Sequence, residues 1–336
     1  MQKMIPLSYG ADASGLICAY AFLGQHSRAL SSAEVLAWLH QPNPADHFVW
    51  VHLNLSHASS EQWLHQHLAL PDTFFEALHE GVRATRIERA DDSLIAVMND
   101  VLFDFSFDAS DIATLWLHVS PQVVITARTK PLRSIDRLRV AVKNGEVFAS
   151  STALLVHLLR DQADVLTAIV RDIADKTDSI EDRLLANRLE HHRVNLGTMR
   201  RLLVRLQRLL APEPSALFRL LNRPPVWIKD DDRQDLRQST EEFATVIQEM
   251  TALQERIKLL QEEIAAQTNE QNNRSLFVLT TVSVLALPIN IIAGLLGMNV
   301  GGIPLSDSAH GFWVVVLLVA SFTAIAVYWV FGRRTD

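Results

Sequence analysis

Hydrophobic positions change period along this chain, and the changes divide it. Over the first 130 or so residues, strand-like runs alternate with helix-like ones. The runs at 15–23 (GLICAYAFL), 48–55 (FVWVHLNL) and 93–105 (SLIAVMNDVLFDF) read as strands, as do ATLWLHVS and QVVITART on either side of Pro121. The last two predict a hairpin. SSAEVLAWLH, with Ser31 or Ser32 as N-cap, and ASSEQWLHQHLAL predict helices. The expected fold is α+β: a mixed sheet of about four to six strands flanked by helices.

From Thr152 the period becomes 3.6. Leu155, Leu158, Gln162, Val165, Ile169, Ile173 and Ile180 make one stripe; Leu202, Leu203, Leu206, Leu209 and Leu210 make another. The segment APEPSALFRLLNRPPVWIKDDD, with four prolines, reads as helix-breaking. Asp230–Asp232 then suit a helix N-terminus. Phe243, Ile247, Met250, Gln254, Ile257, Gln261 and Ile264 follow at steps of three and four. No strong breaker intervenes before residue 276, so one helix is predicted over 231–296, about 100 Å long at 1.5 Å per residue.

That helix ends in an uncharged apolar run over 276–296, and a second such run covers 312–331. A bilayer core of about 30 Å takes about 20 helical residues, so two membrane spans in a lipid bilayer are expected. Arg274 precedes the first run, Arg333 and Arg334 follow the second, and the hairpin between them has no Lys or Arg. Both termini are therefore expected in the cytoplasm. The resulting division is 1–130 (α/β), 131–230 (helical), 231–274 (stalk), 275–296 (first span), 297–311 (external loop), 312–332 (second span) and 333–336 (tail).

Composition narrows the options. With 336 residues and a net charge of −7, no basic field argues for nucleic acid. One cysteine, Cys18, excludes an intrachain disulfide and a multi-cysteine zinc site. The N-terminus lacks the pattern of a cleaved signal peptide. Phosphate-cradling glycine loops, HExxH and GxSxG are absent from the sequence, so no enzyme and no resident cofactor is expected.

Steps of three and four through the first span pick out Asn273, Leu276, Thr280, Ser283, Leu287, Asn290, Gly294 and Gly297, six of them polar or glycine. Mid-span asparagine is costly against lipid, so this stripe faces protein or water. It suits either a small-residue packing face or a wet path. Two helices per chain cannot enclose a channel, so the wet path requires several copies around an axis. Backward along the stalk the same steps reach Glu262 and Glu255, which would form acidic rings in such an assembly or else a solvated face. Pro288 frees one carbonyl inside the span, as a kink or as an ion-facing group.

The tripeptide Gly297, Met298, Asn299 after LPINIIAG, in this location, resembles the CorA metal-ion transporter family. GMNVGGIP is similar to its zinc-transporting, ZntB-like branch. Magnesium members commonly place Tyr before GMN and Met-Pro-Glu-Leu after it; here stand Leu296 and GGIPLSDSA. The resemblance implies a funnel-shaped homopentamer in a bacterial inner membrane, lined by the first span. It implies a pore along Asn299, Gly294, Asn290, Leu287, Ser283, Thr280, Leu276 and Asn273, carrying zinc inward with protons. Asn299 would hold the hydrated cation at the mouth. An inward divalent cation gains about 4.6 kcal/mol from 100 mV.

Other readings stay open: a magnesium, cobalt or nickel channel, a membrane-anchored sensor or scaffold, and a metalloenzyme on His65 and His67. HxH on a helix points to different faces, which weakens the last. His191–His192 are adjacent, and His52 would share a strand face with Trp50 and Asn54. His310, in the external loop, is either a surface histidine or a place to capture zinc or sense pH.

Overall fold

The computed structural model describes residues 10–42, 44, 46–80, 85–186, 193–298 and 310–332. Two compact units follow one another, Met1–Gln261 and Glu262–Asp336.

In the first unit the alternating segments fold as β1 (Leu16–Leu23), β2 (His26–Ala29), α1 (Ser32–Leu39), β3 (His47–Asn54), α2 (Ser59–His67), α3 (Asp72–His79), β4 (Arg86–Ala90), β5 (Ser93–Val101), β6 (Ile112–Val119) and β7 (Val123–Arg128). Among the described residues one sheet forms, in the order β2-β1-β3-β7-β6-β5-β4. β3 and β7 pair in parallel and every other neighbour is antiparallel, so the sheet is mixed as expected. β6 and β7 form the hairpin around Pro121.

The sheet has seven strands rather than four to six. The two extra strands, HSRA and RIERA, are short, polar and at the edges, where one side meets water and no apolar alternation is required. β5 stops at Val101 instead of Phe105: Asp111 Oδ2 accepts from the Ser106 backbone N and draws the chain into a turn.

Apolar side chains on the two sheet faces are covered by different helices. Val35, Trp38, Trp63, Leu64, Phe74 and Phe75 of α1–α3 pack on Val49, Val51, Val97, Trp116 and Ile125. The opposite face, with Phe22, Phe48, Trp50, Leu94, Met98 and Leu117, meets α4 (Arg133–Lys143), α5 (Ser151–Leu185) and α7 (Pro212–Asn222). Fully burying one such aliphatic or aromatic side chain stabilises by about 1.5–3 kcal/mol. Ser31 is the N-cap of α1 in a capping box with Glu34.

The segment expected to break helices contains one. α7 starts with Pro212 at its first turn, where a missing N–H costs nothing, and buries Leu217, Leu220 and Leu221. Pro224 and Pro225 come after its end.

All residues of the two predicted helical stripes are buried on α5 and on α6 (Arg193–Leu210). α8 runs from Asp230 to Leu296. Its buried seam within the first unit is Phe243, Val246, Met250, Leu253, Ile257 and Leu260; the predicted Ile247, Gln254 and Gln261 are half-buried on its flank. The half-buried glutamine positions carry specificity. Gln254 Nε2 donates to Gln207 Oε1 (2.9 Å), and Gln207 Nε2 donates to Thr251 Oγ1 (2.7 Å), joining α6 to α8. Arg256 pairs with Asp178 and Glu181 of α5.

Candidate ion pathway

The second unit holds the C-terminal part of α8 and α9 (Gly311–Gly332). α8 is long and apolar enough to cross a membrane, and none of its apolar window is buried. α9 is apolar over Gly311–Ile325. Leu276, Leu279, Leu287, Leu295, Phe312, Trp313 and Leu317 are all exposed. Such a continuous apolar surface is not stable against water and requires a lipid or protein cover.

The predicted stripe occupies one side of α8. Asn273, Leu276, Thr280, Ser283, Leu287, Asn290, Gly294 and Gly297 are all exposed, and Met298 lies just beyond the helix end. The half-buried positions are instead Phe277, Thr281, Leu285, Pro288, Ile289, Ile292 and Leu296. With 3.6 residues per turn, the two sets are centred about 160° apart around the helix. The polar and small residues thus stand opposite the face that packs within the unit.

Chemistry along this side is oxygen-rich and uncharged. Ser283 Oγ donates to Leu279 O at 2.9 Å, which satisfies its proton and leaves its lone pairs outward. A Cβ at Gly294 would meet nothing within 4 Å, whereas one at Gly297 would lie 3.0 Å from Ala293 O. Gly297 N bonds that same carbonyl and ends the helix. Pro288 sits inside α8 without ending it, and lacks the N–H that would bond the Val284 carbonyl. Neutral oxygens can hold a hydrated divalent cation through its waters, and the exchange stays fast because no thiolate or imidazole binds directly.

Asn299, proposed for the mouth, lies outside the described residues, as do His191 and His192. His310 stands at the start of α9, its carbonyl accepting from Val314 N at 3.2 Å. In the first unit Glu255 is exposed and its carboxylate lies 3.6 Å from Lys258 Nζ; in the second, Glu262 is exposed.

His65, His67 and His52 have packing or hydrogen-bond partners in the first unit. His65 stacks on Phe75 and His67 tilts against Trp63, so the HxH pair diverges. No group of three or more His, Cys, Asp or Glu that could hold a metal occurs among the described residues. His52 is buried beside Trp50 on the expected face: Arg128 Nε donates to its Nε2 (3.0 Å), which puts the proton on Nδ1, against Thr126 Oγ1 (2.8 Å). Burial and the Arg128 charge keep it neutral.

Two buried acids had no signature in the sequence. Glu213 on α7 is fully buried and burial pushes its carboxyl up to about 8, with Asp100 adding to the rise. Asp100, at the end of β5, is pushed up to about 6 by burial despite bonds from Ser134 N and Oγ. Only their tertiary surroundings mark them, since each stands in an ordinary local sequence.

Similarity to known proteins agrees with this architecture. The profile of the family described as "CorA-like Mg2+ transporter protein" matches residues 45–334. The "Divalent cation transporter CmaX" of Pseudomonas aeruginosa is 27% identical over 287 residues, 85% of this chain and 86% of that one. The "Zinc transport protein ZntB" of Pectobacterium carotovorum is 24% identical, covering 83% of this chain and 85% of that one. The solved full-length CmaX structure superposes with a TM-score of 0.80 at 26% identity, over 96% of this chain and 98% of that one. Members of this group are transporters rather than enzymes. A mixed-sheet domain leading into one long helix with an apolar end, matched over most of its length, places this chain in the CorA-like family of divalent cation transporters.

Proposed function

We propose that this divalent cation transporter carries zinc into the cell across the inner membrane, coupled to the proton gradient. It would act as a homopentamer, with α8 lining the pore and α9 as a second span outside it. The observation that carries the reading is the placement of Asn273, Thr280, Ser283, Asn290 and Gly294 on the exposed side of α8, opposite its half-buried face. In a ring of copies that side turns inward, so the costly asparagines meet water and the remaining apolar surface meets lipid. Gly297, Met298 and Asn299 form the outer mouth, Glu262 and Glu255 line the inner approach, and both termini are cytoplasmic. Zinc rests on the GMNVGGIP loop, which lacks the glutamate of magnesium members, and on ZntB among the relatives.

Reconstitution into liposomes tests this. Zinc, magnesium and proton entry are followed under imposed pH gradients, with Asn290→Leu as comparison. Zinc influx that grows with an inward proton gradient and fails in the variant is the expected result. Gradient-independent zinc flux removes proton coupling, and magnesium flux without zinc flux gives a magnesium channel. A pentamer with no metal flux, and the same cellular phenotype for wild type and variant, would leave a membrane-anchored scaffold.

A further inference from the structure

α6 carries four arginines in two and a half turns, at 200, 201, 205 and 208, and all four line one cleft of about 420 Å³. Among the described residues none of the four makes an ion pair with a carboxylate. Arg200 donates to Gln261 Oε1 and Arg201 to Thr198 Oγ1, both neutral. Arg205 Nε is shielded from solvent with no acceptor. Asp108 is held below its usual range mainly by Ser110 N and Oγ, both donating to its Oδ1 at 2.7 Å, with smaller contributions from Arg201 and Arg205. Like charges at three- and four-residue spacing destabilise a helix, so this face costs stability as it stands.

Gly197 adds an independent sign. It lies inside α6 and lines the same cleft. A glycine there costs about 1 kcal/mol relative to alanine. Packing does not require it, because a Cβ would meet only Gln261 Nε2, at 3.9 Å. The space is left to the cleft, and Gln261 Nε2 borders it as one more donor.

We infer that this cleft binds a soluble, phosphate-bearing small molecule of the diphosphate class. Guanidinium forks match phosphate oxygens two at a time, and four of them more than offset the two to three charges of a diphosphate. The volume falls in the range of small-ligand pockets and is too small for a helix of another chain. The site belongs to the first unit, apart from the ion pathway, and stands whichever cation is carried.

Titration calorimetry with inorganic pyrophosphate, on the full-length protein in phospholipid-free detergent at constant ionic strength, tests it. Saturable 1:1 binding per chain is expected, with orthophosphate and sulfate at least tenfold weaker. Gly197→Leu, which fills the cleft and changes no charge, should abolish binding; Arg201→Gln with Arg205→Gln should weaken it at least tenfold. Arg205→Lys guards against misfolding and should fold normally yet bind several-fold more weakly. The inference fails if wild type does not bind, if Gly197→Leu binds unchanged, or if sulfate competes equally. It also fails if Arg201→Glu with Arg205→Glu dissociates the oligomer while wild type ignores pyrophosphate, since the cleft then serves an acidic surface of a second copy.

Discussion

Gln162 on α5 reaches Glu213 on α7 inside the first unit, with Nε2 3.4 Å from Glu213 Oε2 and 2.8 Å from the Asn99 carbonyl. One neutral amide is thus shared between a buried carboxyl and the backbone of β5. Among the described residues no cation offsets the rise at Glu213, and Asp100 nearby is a second acid. The arrangement suits a protonated Glu213.

A pH dependence of stability follows. Unfolded, Glu213 titrates near its ordinary 4.5; folded, at about 8. Between these values the folded protein keeps a proton that the unfolded chain has released. The stabilisation is complete below 4.5 and lost as pH rises through 8, at most about 1.4 kcal/mol per pH unit in that window. Asp100 contributes in the same sense between 3.8 and about 6. Thermal melting of the full-length protein should fall from pH 6 to pH 8.5. Glu213→Gln should flatten that slope; an unchanged slope would show that the acid is ionised throughout.

Asn290→Leu and Ser283→Leu should each cut cation flux in liposomes at least tenfold without dissociating the oligomer. Both replace an outward oxygen on the exposed side of α8 with an alkyl group. Leu279→Ala, on an exposed apolar position off the stripe, should leave flux within about twofold. Equal effects from the three substitutions would detach transport from the stripe.

Thr126 accepts from Trp50 Nε1 at 2.9 Å and faces His52 Nδ1 at 2.8 Å, all buried between β3 and β7. Thr126→Val keeps the shape but leaves the buried Trp50 Nε1–H without its acceptor and His52 Nδ1 with only the Thr126 carbonyl at 3.2 Å, costing about 1–3 kcal/mol. Chemical denaturation should show it as a lower midpoint with an unchanged slope.

Ser31→Ala removes the side-chain half of the α1 capping box and should cost about 1 kcal/mol. Ser31→Asp, which keeps an acceptor for the Glu34 N–H, should recover most of it.

Much of this protein can be read without coordinates. The apolar run in FVWVHLNL marks a strand buried on both faces, and the 3.6 period from Leu155 to Ile180 reports the buried face of α5, because each side chain's direction follows from its place in the chain. The stripe from Asn273 to Gly297 is legible for the same reason: in lipid a polar residue has few places to go, so its spacing names a face. HSRA, RIERA and the helix in PEPSALFRLLN were not legible. Edge strands need no apolar period, and a proline that ends one helix can begin another.

The sequence by itself determined the five longer strands, the long helices after them, the apolar runs and the GMN signature, all of which rest on periodicity and local chemistry. Tertiary structure alone decided which acids lose their solvent and which arginines share a cleft. Those outcomes depend on residues far apart in the chain. Burial beside Gln162 of α5 and Asn99 of β5 pushes the Glu213 carboxyl up to about 8, and Arg200, Arg201, Arg205 and Arg208 become a site because Gly197 and Gln261 leave a space between them.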